Sequence, residues 1–268
     1  MNDGFPTSLE KNAAPTPPSS PPPAYGPQLL SQPRACDAGA GTRWLSQAWT
    51  LFTASPGLWL GMGLVLLVAI MVLSLIPGVS LLVNLGFGVI AAGWIIGAYE
   101  LDENQNLQFE HLFAGFKRNT GQLLLLGVLY FAALLAVALI AIVVVAIFGG
   151  FSGGMALLLH GDRSALGGAM LLGILLGSLI FLALIVPAVM AIWFAPALVA
   201  LNDMPAIDAM KLSFKACMAN LVPFLLYGLV LMVLTVVAII PCGLGLLVLL
   251  PIMYISYYTS YREVLTHN

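Results

Sequence analysis

The segment Gly150–Gly154, which reads GFSGG, is the stretch of this sequence that comes nearest to a catalytic motif. A Gly-x-Ser-x-Gly pattern exposes a serine hydroxyl on a sharp turn in many hydrolases. A serine nucleophile also needs a histidine within reach to accept its proton. His160 shares a predicted loop with Ser152, but it would have to fold back over flexible glycines. We therefore favour a flexible turn and keep an intramembrane serine protease as a remote alternative.

The other candidate ligands do not form a metal or cofactor site. His160 and Asp162 could contact a metal ion from one loop, but two ligands without further donors make no site. His111 stands beside Glu110 on a helix face that we predict to be solvated. The three cysteines are scattered and form no Cys-x-x-Cys pair. The sequence predicts no catalytic residue, no metal and no cofactor, and hence a protein that is not an enzyme.

The composition shows which elements surround these residues. Charged residues make up 7% of the chain and hydrophobic residues 61%, which leaves too little polar surface for a water-soluble domain. Residues 56–99, 120–161, 164–202 and 218–261 contain no Asp, Glu, Lys or Arg. About 20 apolar helical residues cross a bilayer core of about 30 Å. The chain is therefore predicted to be an integral membrane protein, and its net charge of −2 argues against a nucleic-acid partner.

The charge-free stretches divide into predicted membrane spans. We predict six spans, at residues 57–76, 79–99, 122–148, 166–193, 221–240 and 244–261. Eight of the nine Lys and Arg residues fall on one side of this arrangement, and only Arg163 falls on the other. Because cytoplasmic loops carry an excess of Lys and Arg, we expect both termini in the cytoplasm and the spans in a bacterial inner membrane.

A short amphipathic segment precedes the first, third and fifth spans. Apolar residues recur on one helical face in each: Leu45, Ala48, Trp49 and Phe52; then Phe109, Leu112, Phe113 and Phe116; then Ile207, Met210 and Phe214. Such helices lie in the membrane interface, and Thr42 is a candidate N-cap of the first. The fold class is therefore all-α, with three repeats of an interfacial helix followed by a hairpin of two spans.

Several aromatic and polar residues are candidates for contacts with lipid or with a partner. The interfacial anchors are predicted to be Trp49, Phe52, Phe109, Phe113, Phe116, Phe214, Tyr254, Tyr257, Tyr258 and Tyr261. The four tyrosines form a stripe at the end of the last span, typical of an aromatic belt, and a lipid-headgroup or partner-helix groove is the alternative. Asn84 is the notable polar residue within a span. It is predicted to bond a neighbouring helix rather than a substrate.

The proline-rich N-terminal region is predicted to be a separate, disordered tail. Nine of the 17 prolines lie within residues 1–41, and such a segment buries too little apolar surface to fold. We assign residues 1–41 to this cytoplasmic tail, 42–264 to the membrane domain and 265–268 to a C-terminal tail.

Three stretches carry a resemblance to a known family: RWLSQAWTLFTASPGLW from Arg43, LQFEHLFAGFKRN from Leu107 and FAPALVALNDMPAIDAMKLSFKACMAN from Phe194. They resemble an uncharacterised family of six-helix inner-membrane proteins of Gram-negative bacteria. More distantly, the chain is similar to the membrane domain attached to some glycerophosphodiester phosphodiesterases. The resemblance covers about residues 43–263. It implies location and architecture, and it carries over no catalytic residue.

These observations lead to a function hypothesis with alternatives. We expect a non-enzymatic structural or interaction component at the cytoplasmic membrane face. The alternative is a permease or lipid-handling carrier for a neutral or lipidic substrate, because no charged residue lies within a predicted span. The expected partners are the lipid bilayer and either a membrane protein or a second copy. GxxxG pairs at Gly57/Gly61, Gly93/Gly97 and Gly173/Gly177 suit either tight internal packing or self-association.

Overall fold

The computed structural model describes residues 25–76, 85–161, 163–241 and 243–267. Regular secondary structure in these ranges is helical, apart from one isolated bridge between Leu29 and Thr266. The α-helices are α1 (Ala40–Ala54), α2 (Pro56–Ser74), α3 (Phe87–Asn104), α4 (Thr120–Val145), α5 (Ser152–His160), α6 (Arg163–Trp193), α7 (Ala195–Asn202), α8 (Ala206–Ala219), α9 (Leu221–Ile239) and α10 (Leu244–Leu265). A 3-10 helix covers Phe109–Phe116, and a π-helical turn, Ala146–Phe151, joins α4 to α5. The predicted all-α class is confirmed.

Within the described ranges, five helical stretches are long and apolar enough to cross a membrane. They are Pro56–Ser74, Thr120–Leu159, Gly167–Asn202, Leu221–Ile239 and Leu244–Leu265. Their outward surfaces are covered by exposed Leu, Ile, Val and Phe side chains. Exposing such an apolar surface to water would cost much free energy, whereas contact with the hydrocarbon chains of a bilayer does not.

The predicted second span, residues 79–99, is not among these five. Residues 77–84, including Asn84, lie outside the described part of the chain. The described part is α3, whose last turn carries Glu100, Asp102 and Glu103. Residues 91–98 of α3 are all buried, so this helix lies inside the bundle rather than against lipid. Six spans and the threefold repeat therefore stay predictions.

The GFSGG segment differs from the predicted loop. It belongs to a continuous helical stretch from Thr120 to Leu159 in which the π-helical turn is the only irregularity. The reason is packing: a Cβ added to Gly173 of α6 would lie 2.6 Å from the backbone nitrogen of Gly149. The glycines of this segment let two helices approach closely, which a sequence pattern cannot distinguish from a flexible turn.

The three GxxxG pairs fall into two groups. Gly173 and Gly177 pack against α4, where an added Cβ on Gly177 would lie 2.5 Å from Val145 Cγ2. Gly93 and Gly97 pack against the 3-10 helix and the residues before it. Gly57 and Gly61 meet no atom within 4 Å. Two pairs therefore serve internal packing, and the third faces away from the described chain.

The three amphipathic segments occur where they were predicted, with local differences. The first and third are α1 and α8, whereas the second is the 3-10 helix rather than an α-helix. The hydroxyl of Thr42 donates to the Gly39 carbonyl at 2.8 Å, so Thr42 is not the N-cap of α1. Each segment directly precedes a long apolar helix, namely α2, α4 or α9.

Candidate functional site

Residues 25–39 form an extended segment, here called the strap, that lies against the helices. The Gly26 amide donates to the Leu201 carbonyl at 2.7 Å, the Leu30 amide to Leu265 at 2.8 Å and the Arg34 amide to Val264 at 2.8 Å. This part of the region assigned to the disordered tail is therefore packed onto the membrane domain. Backbone hydrogen bonds hold it there together with a few side chains, such as Leu29 against the core and Tyr25 against Tyr99. Hydrophobic composition gave no sign of this contact.

The strap contacts elements next to all three amphipathic segments. Tyr25 lies under Arg118, whose Cζ is 4.1 Å from the ring centroid, just after the 3-10 helix. The Asn220 amide, at the end of α8, donates to the Arg34 carbonyl at 2.9 Å. Asp37 pairs with Arg43 of α1 at 2.7 Å. The three amphipathic segments therefore lie at one end of the bundle, together with both described ends of the chain. We call this end the strap face.

The C-terminal turns of α10 are tied to α3 through a polar network at the strap face. Arg262 is ion-paired with Asp102, and the Tyr258 hydroxyl donates to the same carboxylate at 2.8 Å. Arg262 also donates to the Gln47 side chain of α1 at 3.3 Å. Because Asp102 is mostly buried, its negative charge needs both partners. This network locks three helices together.

A second network fixes the strap to α1 and α10. Arg43 donates to Asp37 and to Glu263, each at 2.7 Å at its nearest atom. Hydrogen bonding to Arg43 lowers the pKa of Asp37, and the two carboxylates raise the pKa of Arg43. Burial beside Glu263 raises the pKa of the Cys36 thiol to about 11. Cys36 is therefore a protonated structural thiol in the attached strap.

A third cluster surrounds the left-handed turn after α7. Asp203 has φ 53°, and its carboxylate accepts hydrogen bonds from Asn119 and Arg118. The preceding Asn202 donates to the Pro27 carbonyl at 2.9 Å and accepts from the Tyr261 hydroxyl. This turn therefore connects the 3-10 helix region, the strap and α10.

The predicted interfacial anchors separate into two classes. Trp49 and Phe116 are 52% and 58% exposed, and Phe109, Phe113 and Phe214 are also exposed apolar residues at the strap face. These side chains are free to enter the membrane interface.

Other predicted anchors lie inside the protein. Phe52, Tyr258 and Tyr261 are buried in the core, and Tyr254 and Tyr257 are half-buried. Trp94 of α3 stacks between Trp59 and Tyr254 at centroid distances of 5.6 and 5.2 Å. The belt interpretation is wrong for Tyr258 and Tyr261, because α3 and α7 cover this face of α10. A helical periodicity identifies a shared face but does not show what covers it.

Ser152 and His111, which the sequence offered as candidates for chemistry, make local hydrogen bonds within the helical segments that carry them. Ser152 lies within helix, and its hydroxyl donates to the Phe148 carbonyl. His111 accepts a hydrogen bond from the Gln108 amide at 3.2 Å and so caps the 3-10 helix, while burial lowers its pKa. No group of three metal-ligating side chains occurs among the described residues, and Asp162 lies outside them.

Apolar cavities open between the helices on the inner side of the strap face. Cavities of about 410, 440 and 770 Å³ share Tyr257 as a lining residue. The 440 Å³ cavity, here called the α6–α9 groove, lies between Val189 and Trp193 of α6 and Phe224 and Gly228 of α9. Sequence reasoning missed these cavities, since they depend on how far apart packed helices stand.

Comparison with known proteins gives a location and no activity. The chain is 29% identical over 251 residues to a protein of Burkholderia thailandensis named as a probable inner membrane protein, covering 84% of this chain and 90% of that relative. No protein-family model matches the chain, and no solved structure matches it. With the five apolar helices, this similarity identifies a multi-pass membrane protein.

Proposed function

We propose that this protein is a non-enzymatic component of the bacterial inner membrane, with the strap face at the cytoplasmic surface as its interaction surface. The observation that carries the proposal is the convergence of three amphipathic segments at this face, each with exposed aromatic side chains. Trp49, Phe113 and Phe214 represent the three segments. A surface that combines exposed aromatic and charged side chains suits contact with lipid headgroups and with a second membrane protein.

The charge distribution supports the cytoplasmic orientation of the strap face. Lys117, Arg118, Lys211 and Lys215 all lie in or next to the amphipathic segments. Lysine and arginine near the ends of spans favour the cytoplasmic side, and anionic lipids there attract them. Lys117 and Lys211 are largely exposed, with Glu110 and Asp208 as weak surface partners, so they remain able to contact anionic headgroups.

The experiment replaces exposed aromatic residues and measures assembly. Phe109, Phe113 and Phe116 are changed together to Ser, and the complex is sized after mild extraction and after cross-linking in intact membranes. We expect the wild-type protein in an assembly and the variant as a monomer. The matched control changes Leu158 and Leu159, which are exposed at the far end of the Thr120–Leu159 helix, to Ser. A wild-type protein that is monomeric would contradict the proposal.

A second candidate function is lipid handling, and the three cavities that share Tyr257 favour it. A carrier for neutral or lipidic molecules needs space between spans and needs no charged residue there. The test is transbilayer movement of a fluorescent phospholipid in vesicles that contain the purified protein. Movement no faster than in protein-free vesicles would remove this candidate.

A further inference from the structure

We propose that the α6–α9 groove is a binding site for one acyl chain of a bilayer phospholipid, with the Tyr257 hydroxyl as its hydrogen-bond donor. The groove holds about 440 Å³, within the range of about 300–1,000 Å³ typical of ligand pockets. The inference depends on the chain crossing a bilayer, and it stands whether or not the strap face binds a partner.

The length of the groove matches one leaflet. Its α9 wall extends from Leu221 to Leu231, which at about 1.5 Å per residue is about 15 Å. The hydrocarbon core of a bilayer is about 30 Å thick, so one leaflet contributes about 15 Å. Leu221 follows the end of α8 at the strap face. The groove therefore begins at the membrane interface and ends near the middle of the bilayer, as an extended acyl chain does.

The surroundings of the groove supply lipid rather than water. Val186 of α6 and Leu221 and Leu225 of α9 are exposed apolar side chains that line it. Both helices belong to stretches that are long and apolar enough to span the membrane. A molecule that enters between them must come from the hydrocarbon layer.

The inner wall of the groove is aromatic, and it includes Tyr257, whose hydroxyl is a polar group. Trp193 contacts Tyr257 edge to face at 4.5 Å and Phe224 at 5.1 Å. The Trp193 indole already donates to Ser260, and the Tyr227 hydroxyl is paired with Ser256. Among the described residues, no hydrogen bond involves the Tyr257 hydroxyl, whereas its neighbour Tyr258 donates to Asp102. Tyr257 lines the groove, so an acceptor on a ligand bound there would give its hydroxyl a partner.

The depth of Tyr257 identifies that acceptor. Tyr257 precedes Arg262 by five residues, so it lies about 7.5 Å along the helix axis from the charged layer at the strap face. The headgroup regions of a bilayer occupy about 5–8 Å on each side of the hydrocarbon core. The ester carbonyls that join acyl chains to glycerol lie at the inner boundary of this region, within reach of the Tyr257 hydroxyl.

A groove of about 440 Å³ between two apolar helices has room for a single extended hydrocarbon chain.

The test fills the groove and counts retained lipid. Gly228 lines the groove, and an added Cβ there meets no atom within 4 Å, so Gly228→Phe inserts a side chain without a backbone clash. Gly61→Phe is the matched control, because its added Cβ also meets no atom within 4 Å and it lies on α2. Each protein is moved from nanodiscs of palmitoyl-oleoyl phosphatidylglycerol into detergent and weighed by native mass spectrometry.

We expect one retained phospholipid in the wild type and in Gly61→Phe, and at least tenfold less in Gly228→Phe. Tyr257→Phe should retain it about fivefold to tenfold more weakly, the effect of one lost hydrogen bond. Equal retention in Gly228→Phe and the wild type, or a lipid-free wild type, would overturn the proposal. If Gly228→Phe does not fold, a second measurement replaces it: quenching of tryptophan fluorescence in the wild type by a phospholipid with brominated acyl chains. The part due to Trp193 is the difference from the Trp193→Phe variant. If Trp193 is not quenched, the proposal is also overturned.

This result is separable from the strap-face proposal. The Gly228→Phe variant leaves Phe109, Phe113 and Phe116 unchanged, so it should lose the groove lipid and keep the assembly. A wild-type protein that is monomeric but retains the groove lipid would count against the interaction surface alone.

Discussion

The side chain of Asn220 holds the strap at Arg34 and Cys36, which lie 186 and 184 positions away in the sequence. Its amide nitrogen donates to the Arg34 carbonyl at 2.9 Å, and its oxygen accepts from the Cys36 amide at 2.8 Å. The same nitrogen donates to the Ala216 carbonyl in the last turn of α8. Asn220 is 1% exposed. One buried amide therefore joins the N-terminal strap to the junction of α8 and α9.

Replacing Asn220 by Ala should release the strap. The change leaves the Cys36 amide and the Arg34 carbonyl without their partners, which costs about 1–3 kcal/mol for each buried group that stays unsatisfied. We expect a lower unfolding temperature in detergent and faster tryptic cleavage after Arg34. Asn104→Ala is the control, because Asn104 is exposed and bonds only Glu100 among the described residues. Unchanged cleavage in Asn220→Ala would show that the strap does not depend on this amide.

The reactivity of Cys36 should report strap attachment. Burial raises the pKa of its thiol to about 11 from about 9, so near pH 8 the thiolate fraction is about a hundredth of that in a free thiol. The protonated form belongs to the attached state, so attachment should be fully stable below pH 9 and weaken as the pH rises through 11. We expect slow alkylation at pH 8 in a Cys217→Ser, Cys242→Ser background, and faster alkylation when Asn220→Ala is added. Equal rates with and without Asn220→Ala would contradict the assignment.

Replacing Asp102 alone should destabilise the protein more than replacing Asp102 and Arg262 together. Asp102→Ala leaves the Arg262 guanidinium and the Tyr258 hydroxyl without their shared acceptor, and we expect a loss of about 2 kcal/mol in the free energy of unfolding. Because an unpaired buried charge causes most of that cost, adding Arg262→Met should restore part of the stability. Thermal unfolding of the single and double variants measures the effect. A double variant less stable than Asp102→Ala would contradict this explanation.

Replacing Gly115 of the 3-10 helix by any residue with a Cβ should destabilise the protein. A Cβ on Gly115 would overlap the Val89 carbonyl of α3, and such overpacking typically costs about 1–3 kcal/mol. We expect Gly115→Ala to unfold at a lower temperature, and Gly61→Ala, which meets open space, to unfold like the wild type. Similar unfolding of the two variants would show that the 3-10 helix packs less tightly than the structure indicates.

The sequence predicted the positions of those helices that depend on local hydrophobicity alone. Long uncharged stretches predicted the helices at Pro56–Ser74 and Leu221–Ile239 within a few residues. Sequence periodicity also located α1 and α8. These features depend on local composition, which a single sequence contains.

Features that depend on packing between distant segments were missed. The strap is held by backbone groups bonded to residues more than 170 positions away, such as Pro27 to Asn202, and its proline content pointed to disorder. Tyr258 and Tyr261 have the spacing of a lipid-facing stripe, yet α3 and α7 cover them. The GFSGG segment was predicted to be a flexible turn, whereas it lies in a helical stretch in which the adjacent Gly149 lets Gly173 approach closely. Each of these features depends on which helix or segment packs against which other one, and a local sequence pattern does not contain that information.

The central claim is that the strap face lies on the cytoplasmic side, with both described ends of the chain beside it. Paired fusions of alkaline phosphatase and a fluorescent protein to each terminus in living cells test this directly. The account predicts fluorescence from both termini and phosphatase activity from neither. Phosphatase activity at either terminus would contradict it, because the strap and the end of α10 bond each other through Leu30 and Leu265.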